Sequence, residues 1–257
     1  MININMDDVS VVVPTLNNID GIRYLADYFR DKKSHLIVID NHPTEEKRKL
    51  LKHYVYLPQE KNLGFAAAVN LGVKRVKTEW VVILNDDIEF KDGLFFTELL
   101  HDAKKRRLDA VSPILINPDG RIENYGYRVL PYGRVELVAD QEDKRIDGLT
   151  AACLLIKTEV FRKLKGFDKK FFAYLEDVDF FLRFKKKGYR MSMSRLEVKH
   201  NHMTTSRTMG NFKARQDMVN WWRLYFKNKG FFRFDPKFIV ERLRNVSGYM
   251  KATFNSG

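Results

Sequence analysis

The chain has 257 residues, 44% of them hydrophobic, 31% charged and 13% aromatic, enough to bury a sizeable core and unlike a disordered or collagen-like chain. The longest stretch without Lys, Arg, Asp or Glu runs 12 residues, from Asn62 to Val73, short of the roughly 18 apolar residues of a membrane span. The N-terminus MININMDDVS shows no signal peptide, and the one cysteine, Cys153, excludes an intramolecular disulfide framework or a cysteine zinc cluster, so a reducing, cytosolic setting is expected.

In chain order, Val9–Val13 is a short β-branched run ending at Pro14, which predicts a buried strand. Asp20–Arg30 carries a helical stripe of Ile22, Leu25, Ala26 and Phe29. Leu36–Ile39 predicts a second strand, closed by Asp40-Asn41; Glu45–Lys52 reads as a helix and Tyr54–Leu57 as a weaker strand. Gly64–Lys77 reads as a helix, and Trp80–Leu84 as a strand that stops at Asn85-Asp86-Asp87. Such alternation of helices with continuously apolar strands predicts an α/β fold with a mostly parallel sheet covered on both faces. Ligands of such sheets collect beyond the carboxyl ends of the strands, where Thr15, Asp40 and Asn85–Asp87 fall.

Further on, Ala110–Ile116 predicts a strand, residues 121–146 hairpins or an acceptor loop, and Leu149–Ile156 another strand. Thr158 is a suitable N-cap for a helix over Glu159–Lys165, with Gly166 after its end. Asp177–Lys187 predicts an amphipathic helix stopped by Gly188, and Leu196–Lys199 a late strand. No linker is visible, so residues 1–210 are expected to form one body, with 1–90 as its nucleotide-binding half and 91–210 as its acceptor and catalytic half.

Residues 211–257 form a basic aromatic helical tail. The net charge of +13 is concentrated towards this end: residues 1–180 hold 28 basic and 29 acidic side chains, residues 181–257 hold 18 and 4. Ten aromatics lie in the 43 residues from Arg215 to Gly257, interleaved with Arg223, Lys227 and Lys229. Two readings stay open: an interfacial helix with rings at head-group level and cations on anionic phosphates, or a helix packing its rings onto the body.

Four clusters can carry chemistry. Asp86-Asp87 follows a buried strand directly, where two carboxylates repel unless a cation neutralises them, and hard oxygen ligands suit Mg²⁺ or Mn²⁺. Glu176-Asp177-Val178-Asp179 starts a helix after the aromatic run Phe171-Phe172-Ala173-Tyr174. Helix-dipole stabilisation alone would explain acids there, but Asp177 or Glu176 against an apolar wall could act as a general base. His200 and His202 share a face if the late strand continues, and a neutral imidazole can join carboxylates on Mn²⁺. Asn62-Leu63-Gly64-Phe65 could bind an anion through free backbone N–H groups. Neither a GxGxxG nor a GxxxxGK[ST] motif is present.

Taken in order, VVVPTLNN, VIDN, NLGFAAAVNLG, VILNDD, KGFDKKFFAYLEDVDFFLRFKKKGYR and VKHNHMTTS resemble a family 2 glycosyltransferase from Val9 to about Ser206. The NLGFAAAVNLG form is similar to the branch with rhamnosyl- and galactofuranosyltransferases of cell-surface polysaccharide assembly. The resemblance implies a single Rossmann-like, A-type glycosyltransferase domain that inverts the anomeric configuration. It places Pro14, Thr15 and Asn17 along the nucleotide and Asp40 on the base. Asn62, Gly64 and Asn70 would lie along the nucleotide and diphosphate, Asp86 at the ribose or metal, Asp87 at the metal and Asp177 as catalytic base. His200 would complete the metal site, with His202 as its rival. Two departures stand out: the usual DxD motif begins here with Asn85, and His42-Pro43 follows Asp40-Asn41 where a small polar residue is common.

The implied cofactor is Mg²⁺ or Mn²⁺ and the implied donor a nucleoside-diphosphate sugar, UDP- or dTDP-linked. The implied acceptor is a glycan or a lipid-diphosphate-linked glycan, met by an enzyme peripheral at the cytoplasmic membrane face. Two rival classes fit less well. A sugar nucleotidyltransferase wants a Gly-rich basic loop after the first strand, which PTLNNIDGIR lacks. A nucleic-acid-binding protein, suggested by the pI of 9.6, leaves both acidic clusters unexplained, since acids repel phosphate. No nucleic-acid partner is therefore expected.

Overall fold

The computed structural model describes residues 8–31, 35–91, 93–138, 145–201 and 210–254. His202 lies outside the described residues. The N-terminal half alternates as the apolar runs require: β1 (Val9–Thr15), α1 (Ile19–Phe29), β2 (His35–Asp40), α2 (Glu45–Leu50), β3 (Val55–Pro58), α3 (Gly64–Val73) and β4 (Trp80–Leu84). After it come β5 (Ile88–Glu89), α4 (Phe95–Lys105), β6 (Ala110–Ile116), β7 (Ile122–Asn124), β8 (Tyr127–Leu130), β9 (Arg134–Leu137), β10 (Cys153–Lys157), α5 (Thr158–Lys163), α6 (Glu176–Lys186) and β11 (Met191–His200). Two helices close the chain, α7 (Gly210–Lys227) and α8 (Pro236–Phe254).

The main sheet runs β3-β2-β1-β4-β10-β6-β11-β5, with β7 also on β6. β3, β2, β1 and β4 are mutually parallel, and β6 and β11 are parallel to each other. β10 runs antiparallel to both β4 and β6, so the sheet is mixed although mostly parallel. Side chains alternate across it as strand geometry demands. Val12, Val81 and Ile83 face one core with α3, α5 and α6; Val11, Val13, Trp80 and Val82 face the other with α1 and α4.

Local structure corrects four expectations. Residues 149–152 leave the sheet, and β10 begins only at Cys153, because that segment turns towards the cleft described below. Thr158 is the first residue of α5, not its cap: Lys157 precedes the helix, and the Thr158 hydroxyl is buried without a partner. Helix α4 was not expected, yet Phe95, Phe96, Leu99, Leu100 and Ala103 form its buried stripe. Gly188 follows the end of α6 with positive φ, as expected, but α5 ends at Lys163 and Lys165, with φ of 62°, takes the left-handed place expected of Gly166.

The C-terminal helices are joined to the body. On α7, Asn220, Trp221 and Leu224 are buried, and Lys227 pairs with Asp168 at 2.8 Å and with Asp179 at 2.9 Å. Arg242 of α8 lies over the Trp221 ring, 4.3 Å from its centroid. The packed reading thus holds for one face of α7. Elsewhere Phe226, Phe231, Phe234, Ile239, Leu243, Val246 and Met250 remain exposed.

Candidate active site

A cleft of about 590 Å³ opens at the carboxyl end of the sheet, lined by Pro14, Thr15, Asn41, Asn62, Gly64, Asn85–Asp87, Glu176, Asp177 and His200. Strand ends bring these residues together from distant parts of the sequence, as expected at such an edge. The two acidic clusters and His200 therefore share one space.

Asp87 and His200 meet because β5 and β11 pair. His200 lies opposite Ile88, and the Asn201 N–H donates to the Asp87 carbonyl at 2.9 Å. The His200 Nε2 atom then stands 3.2 Å from Asp87 Oδ1. Apart from this contact with His200, that oxygen is buried without a hydrogen-bond partner. On its other side, His200 Nδ1 is 2.8 Å from Glu123 Oε2. Burial works against a charged imidazole, but hydrogen bonds to Asp87 and Glu123 outweigh it and hold the ring up to about 9.

The pair fits a divalent cation by its donors, an under-used carboxylate oxygen facing a ring nitrogen. Among the described residues no group of three or more acidic, histidine or cysteine side chains converges as a cage. Asp87 and His200 would supply only part of a divalent ion's shell, the rest coming from water or a bound ligand.

Asp86 has other partners. Its Oδ2 accepts from the Thr15 hydroxyl at 2.5 Å, and its carbonyl accepts from the Asn18 side-chain amide at 2.9 Å. Burial, only partly opposed by these donors, pushes its carboxyl up to about 7. Gly21 makes this approach possible, since a Cβ there would lie 1.8 Å from the Asp86 carbonyl.

Asp177 sits in the first turn of α6 on an unusual approach. Phe172, Tyr174 and Leu175 all have positive φ, a costly backbone state for non-glycine residues. The Asn220 side-chain amide of α7 holds this loop, donating to the carbonyls of Phe171 at 2.9 Å and of Ala173 and Tyr174 at 2.8 Å. The Asp177 Oδ1 accepts from the Val178 N–H at 2.8 Å, and Ala151, in the segment that leaves the sheet, also hydrogen-bonds the carboxylate. Burial raises Asp177 to about 6 against these donors. Glu176 beside it has a buried Oε2 with no partner, and burial together with the Asp177 charge pushes it well above the carboxylate range. Burial raises both acids, and the Asp177 charge pushes Glu176 further up, so the two neighbours differ in environment, the pattern that separates acid from base.

Three expected residues stay out of the cleft. Asn17 is exposed on the loop before α1, and its buried neighbour Asn18 caps that helix instead. Asp40 is fully buried and already satisfied. Its Oδ1 accepts from Lys47 Nζ at 2.8 Å and the His42 N–H at 3.0 Å, its Oδ2 from the Tyr56 hydroxyl at 2.8 Å. Lys47 Nζ also donates to the carbonyls of Leu16 and His42. Asp40 therefore ties strand ends together, and Asn41 is the neighbour that faces the cleft. The Asn70 amide bridges α3 to the Phe167 backbone, at 2.7 Å and 2.9 Å.

The expected anion-binding turn is likewise occupied. The Leu63 N–H donates to Asn41, that of Gly64 to Asn62 and that of Ala66 to the Phe172 carbonyl. Gly64, with φ of 75°, is needed because a Cβ would lie 2.6 Å from that carbonyl. Sequence reasoning missed Glu123, Tyr127, Phe212 and Lys213, which also line the cleft. The last two come from α7, so the tail contributes a cation and an aromatic ring to the site. Lys213 Nζ lies 5.6 Å from the Tyr174 ring centroid.

The chain is similar to known proteins in sequence and in fold. The model of the family described as "Glycosyl transferase family 2" matches residues 10–165. The chain is 26% identical over 223 residues to the O-antigen biosynthesis protein RfbC of Myxococcus xanthus, covering 77% of this chain and 18% of that protein. It is 26% identical over 166 residues to the N-acetylglucosaminyl-diphospho-decaprenol L-rhamnosyltransferase of Mycobacterium tuberculosis, covering 52% and 53% of the two. The chain thus spans about half or less of these relatives' length. The mannosyltransferase PcManGT from Pyrobaculum calidifontis, solved with GDP-Man and Mn²⁺, superposes with a TM-score of 0.62 at 14% identity, covering 98% of this chain and 75% of that one.

Proposed function

This chain belongs to glycosyl transferase family 2, and from that premise we propose that it is a metal-dependent, inverting transferase acting in cell-surface polysaccharide synthesis. Its donor is a UDP- or dTDP-sugar, rhamnose among the candidates, and its acceptor a hydroxyl of a glycan or lipid-diphosphate-linked glycan. The observation that carries this reading is the shared cleft, which Asp87, His200 and Asp177 all line. The L-rhamnosyltransferase and O-antigen names of the relatives favour the sugar and the setting.

In this reading Asp177 takes the proton of the acceptor hydroxyl. That oxygen forms its bond to the anomeric carbon on the face opposite the diphosphate, whose bond to the sugar breaks, so the configuration inverts. Asp87 and His200 would hold a divalent ion, which when bound would supply positive charge where the diphosphate departs. Asp86, held by the Thr15 hydroxyl, would meet the ribose or the metal, and Asn220 keeps the strained loop before Asp177 in place. A thermal-shift series with UDP-, dTDP- and GDP-sugars, each with and without Mn²⁺, tests the donor class. One nucleotide-sugar should raise the melting temperature only when Mn²⁺ is present; no shift with any of them would remove the proposal.

The tail fits attachment to an anionic membrane. No helix among the described residues is long and apolar enough to cross a membrane. On α8, however, Ile239, Leu243, Val246 and Met250 recur every three or four residues and are all exposed, with Lys237, Arg244 and Lys251 on the same helix. We expect the full chain to float with phosphatidylglycerol liposomes at low salt, and Leu243→Glu with Met250→Glu to lower the bound fraction several-fold. Equal flotation of that variant would show the face to be unused. Removing all of 211–257 is the poorer test, because α7 also holds the loop that carries Asp177.

A further inference from the structure

The geometry points to Glu123 as a positioning residue that orients His200 for a divalent cation, an inference resting on the metal role proposed for Asp87 and His200. Glu123 lies on β7, and His200 on β11; both strands pair with β6, which runs between them. This three-strand arrangement aims the Glu123 carboxylate at His200 Nδ1, 2.8 Å away, while His200 Nε2 faces Asp87 Oδ1 at 3.2 Å. The side chains are largely enclosed, with exposures of 10% for His200, 12% for Asp87 and 19% for Glu123.

A carboxylate accepting from Nδ1–H fixes the tautomer that leaves the Nε2 lone pair for a metal, and raises the basicity of that nitrogen. It also locks the ring plane, so that binding does not have to order a rotating side chain. Glu123 is not a third ligand in this arrangement. It stands on the far side of the imidazole from Asp87, in keeping with the lack of a converging three-residue cage among the described residues. Nothing in the residues 121–146, polar and mixed in sequence, marks Glu123 apart from its neighbours; only the pairing of β7 does so.

The test is Mn²⁺ affinity, read from the EPR signal of free Mn²⁺ without any nucleotide. Wild type, Glu123→Ala, Glu123→Gln, His200→Ala and the double Ala variant are compared. Glu123→Ala should weaken Mn²⁺ binding by about 10- to 100-fold, and Glu123→Gln, whose amide oxygen still accepts from Nδ1–H, should restore most of it. The double Ala variant should bind no more weakly than His200→Ala, because Glu123 acts through that ring. Unchanged affinity in Glu123→Ala beside a loss in His200→Ala overturns the positioning role alone. So do additive losses, which would make Glu123 an independent ligand. No Mn²⁺ binding by wild type, or none lost in His200→Ala, overturns the underlying metal reading instead.

Discussion

Asp177→Asn is expected to bind the donor as wild type does and to transfer almost no sugar. General-base assistance contributes about 10²–10⁴-fold to rate, and the amide keeps the size of the carboxylate while losing its ability to take a proton. Glu176 is the poorer base of the two, because burial and the neighbouring Asp177 charge push its carboxyl well above the usual range. The pH dependence follows from the sign of the shift. A base raised to about 6 is inactive when protonated, so kcat/KM of wild type should rise with pH through about 6 and then level off. The residual rate of Asp177→Asn should lack that limb. Donor binding by thermal shift, measured on the same sample, separates lost chemistry from lost structure. Near-normal turnover in this variant would remove the assignment, and a loss confined to Glu176→Gln would move the base by one residue.

Asp87→Asn should be the second severe variant. Removing one preorganised stabiliser of developing charge costs on the order of 10²–10³-fold in rate, and the departing diphosphate carries more charge than most leaving groups. The change is small in volume and leaves the β5–β11 pairing intact, because Asn201 bonds the backbone carbonyl of residue 87, not its side chain. EDTA should stop wild-type transfer and added Mn²⁺ restore it, whereas Asp87→Asn should recover little at any Mn²⁺ concentration. Turnover that resists chelation would contradict the metal role of Asp87 and His200 together.

Much of the fold is legible in the chain. The continuous apolar runs of β1, β2 and β4 announce buried parallel strands, and the acids beyond β4 mark the sheet edge where ligands gather. The direction of β10 is not legible, since a strand buried on both faces reads the same whichever way it runs. The site was legible in residue type more than in orientation. Asp86, Asp87, Asp177 and His200 line one cleft, but Asp40 does not, because Lys47 and Tyr56 reach it from other elements. Such capture depends on tertiary distance and leaves no local pattern. Asn220 shows the same limit. In sequence it is one polar residue in an aromatic helix; in the fold it secures three carbonyls of the loop before the candidate base. The tail packs on the body along one face of α7 and leaves apolar side chains exposed on α8.

A crystal of Asp177→Asn grown with Mn²⁺ and the donor identified by thermal shift, with anomalous diffraction recorded at the manganese edge, tests the central claim most directly. The account predicts an anomalous peak bonded to Asp87 and His200 and bridged to the diphosphate, with residue 177 facing the anomeric carbon from the opposite side. A peak elsewhere on the chain, or a sugar lying beyond the reach of residue 177, would contradict it.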